Sequence, residues 1–215
     1  LGVDATNLFN MLSGYSRPPY FRQLRISPKH IREFINQKID NEIEIAKTGR
    51  KAEIHMKMNS LSDPEIIGKL YEASHAGVKI HLIVRGICCL RTDIPGISDN
   101  IEVHSIVGRL LEHSRIYYFY NNGNQDVYLS SADMMKRNLN RRVETLFPIL
   151  QPDLKERVLH IYDIMWNDNV KTRVLHNDVY SMVDRRGKKA LNSQEYFIHQ
   201  AQEKERELKQ KEDED

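Results

Sequence analysis

The chain has 215 residues, 40% of them hydrophobic and 29% charged, with 32 basic against 30 acidic side chains and a formal net charge of +2. That length holds one generous domain, or one domain with an appendage. No apolar run approaches the ~20 residues of a membrane span, and so even a charge does not argue for a nucleic-acid partner.

Residues 1–4 have neither a basic leader nor an apolar stretch behind it, and no initiator Met opens the chain. The expectation is a piece of a longer protein with no secretory signal in this part. Leu8, Phe9 and Leu12 lie at helical spacing, and the run at 14–19, Gly-Tyr-Ser-Arg-Pro-Pro, breaks that helix. Residues 23–26 suit a short strand. Ser27 and Pro28 read as the cap and first position of a long helix, with Ile31, Phe34, Ile35, Ile39 and Ile43 at a period of 3.6 and Gly49 beyond its end. Residues 54–58 alternate as a strand. Asp63-Pro64 opens a second helix with Ile66, Ile67, Leu70 and Tyr71 on one face, and residues 78–84 form the next strand. Strand, helix, strand in this order makes parallel sheet.

Cys88 and Cys89 are the only cysteines and adjacent, a poor arrangement for a disulfide or a zinc site. They read as small buried residues of a reduced, cytoplasmic protein. A turn-rich loop covers 91–100, and strands follow at 101–107, in the run 111–119 and at 128–133. Asn121 to Asn124 supply hairpin chemistry between the last two. A strand at 143–149 precedes a helix from 151 to about 166 with Leu154, Val158, Ile161, Tyr162 and Met165 inward. Short strands at 171–175 and 180–183 lead to a charged helix from Ser193 and a solvated or disordered tail from Lys204. The expected architecture is an α/β domain with a mixed sheet of six or seven strands and helices on both faces.

The densest chemistry lies at 111–119, Leu-Glu-His-Ser-Arg-Ile-Tyr-Tyr-Phe, and at 127–133, Val-Tyr-Leu-Ser-Ser-Ala-Asp. If a strand begins at His113, its period of two sends His113 and Arg115 to one face. An imidazole moves protons or attacks phosphorus, and a guanidinium clamps phosphoryl oxygens in a planar fork. Asp133 could hold the imidazole in one tautomer. Structural ion-pair networks also bring such groups together, so the spacing alone leaves both readings open. Lys57, Asn59, Arg85 and residues 130–133 fall near strand ends as well, where ligands of such sheets gather. Convergent cations and one histidine suit a phosphorylated polyanion. Lys57 and Asn59 are weaker candidates, since an alternating strand can simply expose Lys57. Asp133 is read as orienting His113 or Arg115 rather than binding metal, and Ser131 as bonding backbone. No histidine pair has metal-ligand spacing, so no metal residue is assigned. Arg137, Arg141 and Arg142 line either a polyanion path or a solvated loop.

The segments at 8–10 and 14–16, 82–88, 98–101, 105–109, 111–116 and 130–133 closely resemble the last catalytic domain of the bacterial polyphosphate kinase family, in order and over nearly the whole chain except the acidic tail. The resemblance implies a phospholipase-D-like fold and reversible transfer of the ATP terminal phosphate, with Mg²⁺, to the end of a polyphosphate chain. It implies His113 as the second catalytic histidine and Arg85 as a phosphate ligand. It also implies that the histidine that becomes phosphorylated lies in a preceding domain, and that the full-length protein is a homo-oligomer. On this basis residues 1–21 are the end of that preceding domain and a linker, 22–192 the catalytic domain, and 193–215 a charged helix and tail. Against the phospholipase-D superfamily pattern His-x-Lys-x4-Asp, the chain has Arg115 for the lysine and Tyr120 for the aspartate. Two other readings remain: a phospholipase-D-like phosphodiesterase or nuclease half-site, and a non-catalytic polyanion-binding module. Peripheral contact with a membrane is left open.

Overall fold

The computed structural model describes residues 1–15, 20–28 and 30–214, with side chains as far as residue 210. One mixed sheet organises them. Its strands are β1 (Arg25–Ile26), β2 (Glu53–Met58), β3 (Lys79–Val84), β4 (Ile101–Ile106), β5 (Ile116–Phe119), β6 (Asp126–Ser130), β7 (Thr145–Pro148), β8 (Thr172–His176) and β9 (Val179–Met182), in the spatial order β1-β7-β6-β5-β2-β3-β4-β8-β9. The sequence reading expected six or seven strands. The short strands read at 23–26, 171–175 and 180–183 all join this one sheet as β1, β8 and β9, which brings its count to nine. The centre, β2-β3-β4, is parallel, with Lys57 opposite Ile83, while β5 runs antiparallel to β2 with Ile116 opposite Lys57. Antiparallel pairing of β5 with β6 sets Ile116 against Leu129. The start of β5 therefore meets the ends of β2, β3, β4 and β6 along one rim of the sheet.

Helices cover both faces. α1 (Gly2–Leu12) stands at the chain start, where buried Asp4 accepts from the backbone N–H groups of Arg22, Gln23 and Leu24. α2 (Ile31–Lys47) and α3 (Pro64–His75) pack Ile31, Ile35, Ile39, Ile66 and Leu70 against Ile54, Met56, Met58 and Leu82. The other face of β2 and β3 carries His55, Lys57, His81 and Ile83. There α5 (Pro152–Trp166) and α6 (Ser193–Glu214) bring Tyr162, Met165 and Phe197 to Ile83, Ile106 and Ile116.

α3 starts as its sequence dictates: Asp63 accepts from the N–H groups of Glu65 and Ile66, and Pro64 takes the first position. Arg32 of α2 grips Asp63 with both terminal nitrogens at 2.6 Å. α2 does not start as expected. His30 is its N-cap and Ile31 its first residue, because Ser27 is drawn to the sheet edge, where its Oγ donates to the Arg142 carbonyl and its N–H to that of Glu144. Leu154 of α5 is exposed rather than inward, since only the second half of that helix reaches the sheet. Cys88 is half-buried and Cys89 exposed, not both buried. A short helix, α4 (Lys136–Asn140), to which the sequence reading assigned no element, lies between β6 and β7. α6 continues as helix through Glu214, with residues 201–210 exposed. The expected break at 16–19 lies outside the described residues.

Candidate functional site

Lys57, Asn59, Arg85, Arg115 and Asp133 meet at the carboxyl rim. Lys57 and Asn59 arrive at the end of β2, Arg85 just after β3, Arg115 just before β5 and Asp133 after β6. Lys57 is the penultimate residue of β2 and only 1% exposed, so the sequence alternative of an exposed lysine is wrong. The β2 alternation points it at the second face, where the neighbouring Ile83 and Ile116 enclose its stem. Its Nζ donates to the Ser114 carbonyl at 2.9 Å and lies 3.6 Å from Glu112. Burial pulls the Lys57 pKa down, Glu112 opposes this, and Arg115 and Arg85 push it further down. Three cations thus share one region of field.

One carboxylate organises the rim. Asp133 Oδ1 accepts from the Asn59 N–H at 2.7 Å and from Arg115 Nε at 3.1 Å, while Oδ2 accepts from Arg115 Nη2 at 3.0 Å. The pair is nearly buried, each side chain 10% exposed. The turn that presents Asp133 is fixed by buried Tyr117, whose hydroxyl donates to the Ala132 carbonyl at 2.7 Å. On the far side Asn59 Oδ1 accepts from Arg85 Nε at 3.2 Å. This leaves both terminal nitrogens of Arg85 without a protein partner among the described residues. Gly86 makes the chain fit here: its N–H donates to the Asn59 carbonyl at 2.7 Å, and a Cβ would stand 2.9 Å from that oxygen.

His113 is exposed, and it precedes β5 rather than lying on it. The expected strand alternation therefore does not align it with Arg115; direct contact does. Arg115 Nη1 lies 3.2 Å from His113 Nδ1 and donates to the His113 carbonyl at 2.9 Å. Nη1 also lies 3.4 Å from Nε2, so the guanidinium sits against the ring and singles out neither nitrogen. Of the two partners expected for Asp133, the structure pairs it with Arg115 and not with the imidazole. Asp133 holds Arg115, and Arg115 holds the ring. Ser131 lies off the cluster: its Oγ donates to Glu144 at 2.6 Å and accepts from the Thr145 N–H, in keeping with its reading as a backbone-bonding residue.

Two contributors escaped the sequence. Glu112 sits beside the quoted histidine but had no role assigned. Gln194 lies more than 80 residues away and donates to Glu112 at 2.8 Å; no local pattern marks it. Arg137, Arg141 and Arg142 are exposed and, with Lys136 and Asn140, line a surface recess of about 560 Å³. Among the described residues no three His, Cys, Asp or Glu side chains converge as a metal cage. No helix there is long and apolar enough to cross a membrane.

Over residues 24–194 the sequence matches the family described as polyphosphate kinase C-terminal domain 2. The chain belongs to this family. The polyphosphate kinase of Lactiplantibacillus plantarum is 68% identical over 203 residues, covering 94% of this chain and 28% of the relative. That of Staphylococcus haemolyticus is 50% identical over 211 residues, covering 98% of this chain and 29% of the relative. The crystal structure of polyphosphate kinase from Porphyromonas gingivalis superposes with a TM-score of 0.89 at 40% identity, over 94% of this chain and 31% of that one. Nuc from Salmonella typhimurium, a phospholipase D family member, shares the fold with a TM-score of 0.53 at 20% identity, over 72% of this chain and 97% of that one. The phospholipase-D-like fold expected from the sequence is thus observed. This polyphosphate kinase domain spans under a third of the length of the relatives named.

Proposed function

We propose that the chain serves a polyphosphate kinase as the part that supplies its second catalytic histidine, His113, and a cationic phosphate cradle. The reaction is reversible transfer of the ATP terminal phosphate to a polyphosphate chain. The observation that carries this reading is the convergence of Lys57, Arg85 and Arg115 with an exposed imidazole along one sheet rim. Phosphoryl transfer needs positioning and neutralised oxygens more than covalent help from every side. Arg85 offers two free nitrogens to a phosphate, Lys57 adds buried positive charge, and Arg115 orients the ring. His113 gives a proton to the leaving oxygen or holds it by charge.

In this reading ATP, ADP and polyphosphate are the substrates, and the nucleotide arrives as its Mg²⁺ complex. The chain's own rim does not fit a resident Mg²⁺, since Asp133 and Glu112 already face Arg115 and Lys57. The phosphorylated histidine belongs to the remainder of the relatives' length, so this chain holds half of the site. The same reading puts the enzyme in the cytoplasm as a homo-oligomer. It takes residues 1–21 as the end of the preceding domain and a linker, 22–192 as the catalytic domain and 193–215 as an appended helix.

The test is His113→Ala in the full-length protein. Polyphosphate synthesis should fall about a hundredfold or more with the melting temperature unchanged, because an exposed imidazole supports little packing. His113→Gln should be nearly as poor, because an amide shuttles no proton. Full activity in His113→Ala, or robust hydrolysis of a simple phosphodiester by this chain, would overturn the reading.

A further inference from the structure

The nine residues from Val107 to Arg115 join β4 to β5 without regular secondary structure. Nothing in their own backbone pattern holds His113 in place. Arg115, the last of them, bonds the His113 carbonyl and ring through its side chain, and the remaining ties come from side chains elsewhere. Gln194 of α6 is only 6% exposed. Its Oε1 accepts from the Leu110 N–H at 2.9 Å, and its Nε2 donates to the Leu110 carbonyl at 2.9 Å and to Glu112 Oε1 at 2.8 Å. The second Glu112 oxygen lies 3.6 Å from Lys57, which in turn donates to the Ser114 carbonyl. Residues 110, 112 and 114 are therefore each tied, and His113 stands between two of the tied positions.

The anchor behind Gln194 is itself fixed. Asp168, 1% exposed, accepts from both the N–H and the Oγ of Ser193 at 2.7 and 2.8 Å. Its other oxygen accepts from the N–H groups of Val170 and Lys171. Gly108 leaves the room that the amide occupies, for a Cβ there would lie 2.7 Å from Gln194 Cδ.

We infer that Gln194 is a positioning residue for His113: the first turn of the C-terminal helix sets the imidazole's position through Leu110 and Glu112. This rests on the reading of the rim as a phosphoryl-transfer site. The chemistry is sensitive to such a tie, since a displacement of about 1 Å of a reacting group can cost roughly a hundredfold in rate.

The experiment uses full-length enzyme carrying Gln194→Ala, the isosteric Gln194→Glu, Gly108→Ala, and each Gln194 change combined with His113→Ala. Gln194→Glu keeps the shape and the acceptor for Leu110 but removes the donor and sets a second carboxylate against Glu112. Both Gln194 variants should lower kcat about tenfold or more, leave KM for MgATP within about twofold, and melt above the assay temperature. Gly108→Ala should reproduce the kcat loss from the other side of the contact. The deciding result is non-additivity: in the His113→Ala background neither Gln194 change should reduce the residual rate further, because the residue it positions is gone. Additive losses, wild-type kcat in Gln194→Glu, or a loss confined to KM would overturn the inference. If His113→Ala itself were fully active, the site reading would fail instead. A normal Gln194→Glu beside an inactive His113→Ala would sink only the present proposal.

Discussion

Arg85 reaches the rim through a single side-chain bond, from Nε to Asn59, so its two terminal nitrogens face whatever enters. Replacing it with alanine removes a charge-assisted hydrogen bond worth about 1.5–3 kcal/mol, a factor of roughly ten to a hundred. In the full-length enzyme Arg85→Ala should raise the KM for nucleotide or polyphosphate and lower kcat, with folding intact. Unchanged steady-state kinetics would show that it serves only to bond Asn59. Arg115 is a different case. It spends Nε and Nη2 on Asp133 and Nη1 on His113, so its geometry is that of a bracket. Both arginines could be read from the sequence as candidate cations. Their division of labour could not, because it depends on which neighbour each fork meets.

Between the sheet and α5 lies a stack of rings. His55 stacks on His81 at 4.8 Å between centroids, His81 on Trp166 at 4.2 Å, and His104 on Trp166 at 3.8 Å. Burial lowers the pKa of His55 to about 4, helped by Lys79 and Lys51, and burial with His55 and Lys79 does the same to His81, against the pull of Glu102 and Glu53. In the unfolded chain both rings titrate near 6.5. Unfolding therefore takes up protons between about 6.5 and 4. The stability these rings give is complete above that window and is lost as pH falls through it. His55 contributes on the order of 2 kcal/mol across the window, and the more exposed His81 less. A His55→Phe/His81→Phe chain should keep the stacking and show a flatter fall of melting temperature from pH 7 to pH 4. An acid limb identical to wild type would place the proton uptake elsewhere. In the sequence these histidines stood out only for lacking metal-ligand spacing, and their stacking follows from strand register, with His55 directly opposite His81.

At the scale of the molecule, the chain is one sheet with cations and His113 gathered along one rim, and it spans under a third of the named relatives. If the phosphorylated histidine lies in the rest of that length, this chain alone should fold but take no acid-labile phosphate from γ-labelled ATP with Mg²⁺. Stoichiometric label on His113 would overthrow the division of roles between the two parts of the site.

The sequence by itself determined the strand–helix–strand core, the cap of α3 at Asp63-Pro64, the β5–β6 hairpin and the candidacy of Lys57, Asn59, Arg85, Arg115 and Asp133 at the rim. These are local matters of period, turn chemistry and residue type, and the family likeness added the role of His113. Only the tertiary structure decided how the set is wired. Lys57 is buried because Ile83 and Ile116 flank it on neighbouring strands. Asp133 serves Arg115 rather than the imidazole because the Tyr117 hydroxyl holds the Ala132 carbonyl next to it. Ser27 leaves the start of α2 for the carbonyls of Arg142 and Glu144. Gln194 becomes part of the site because Asp168 pins its helix beside the loop. Each of these is a bond between segments far apart in the chain, and neither periodicity nor composition encodes which distant partner a side chain will meet.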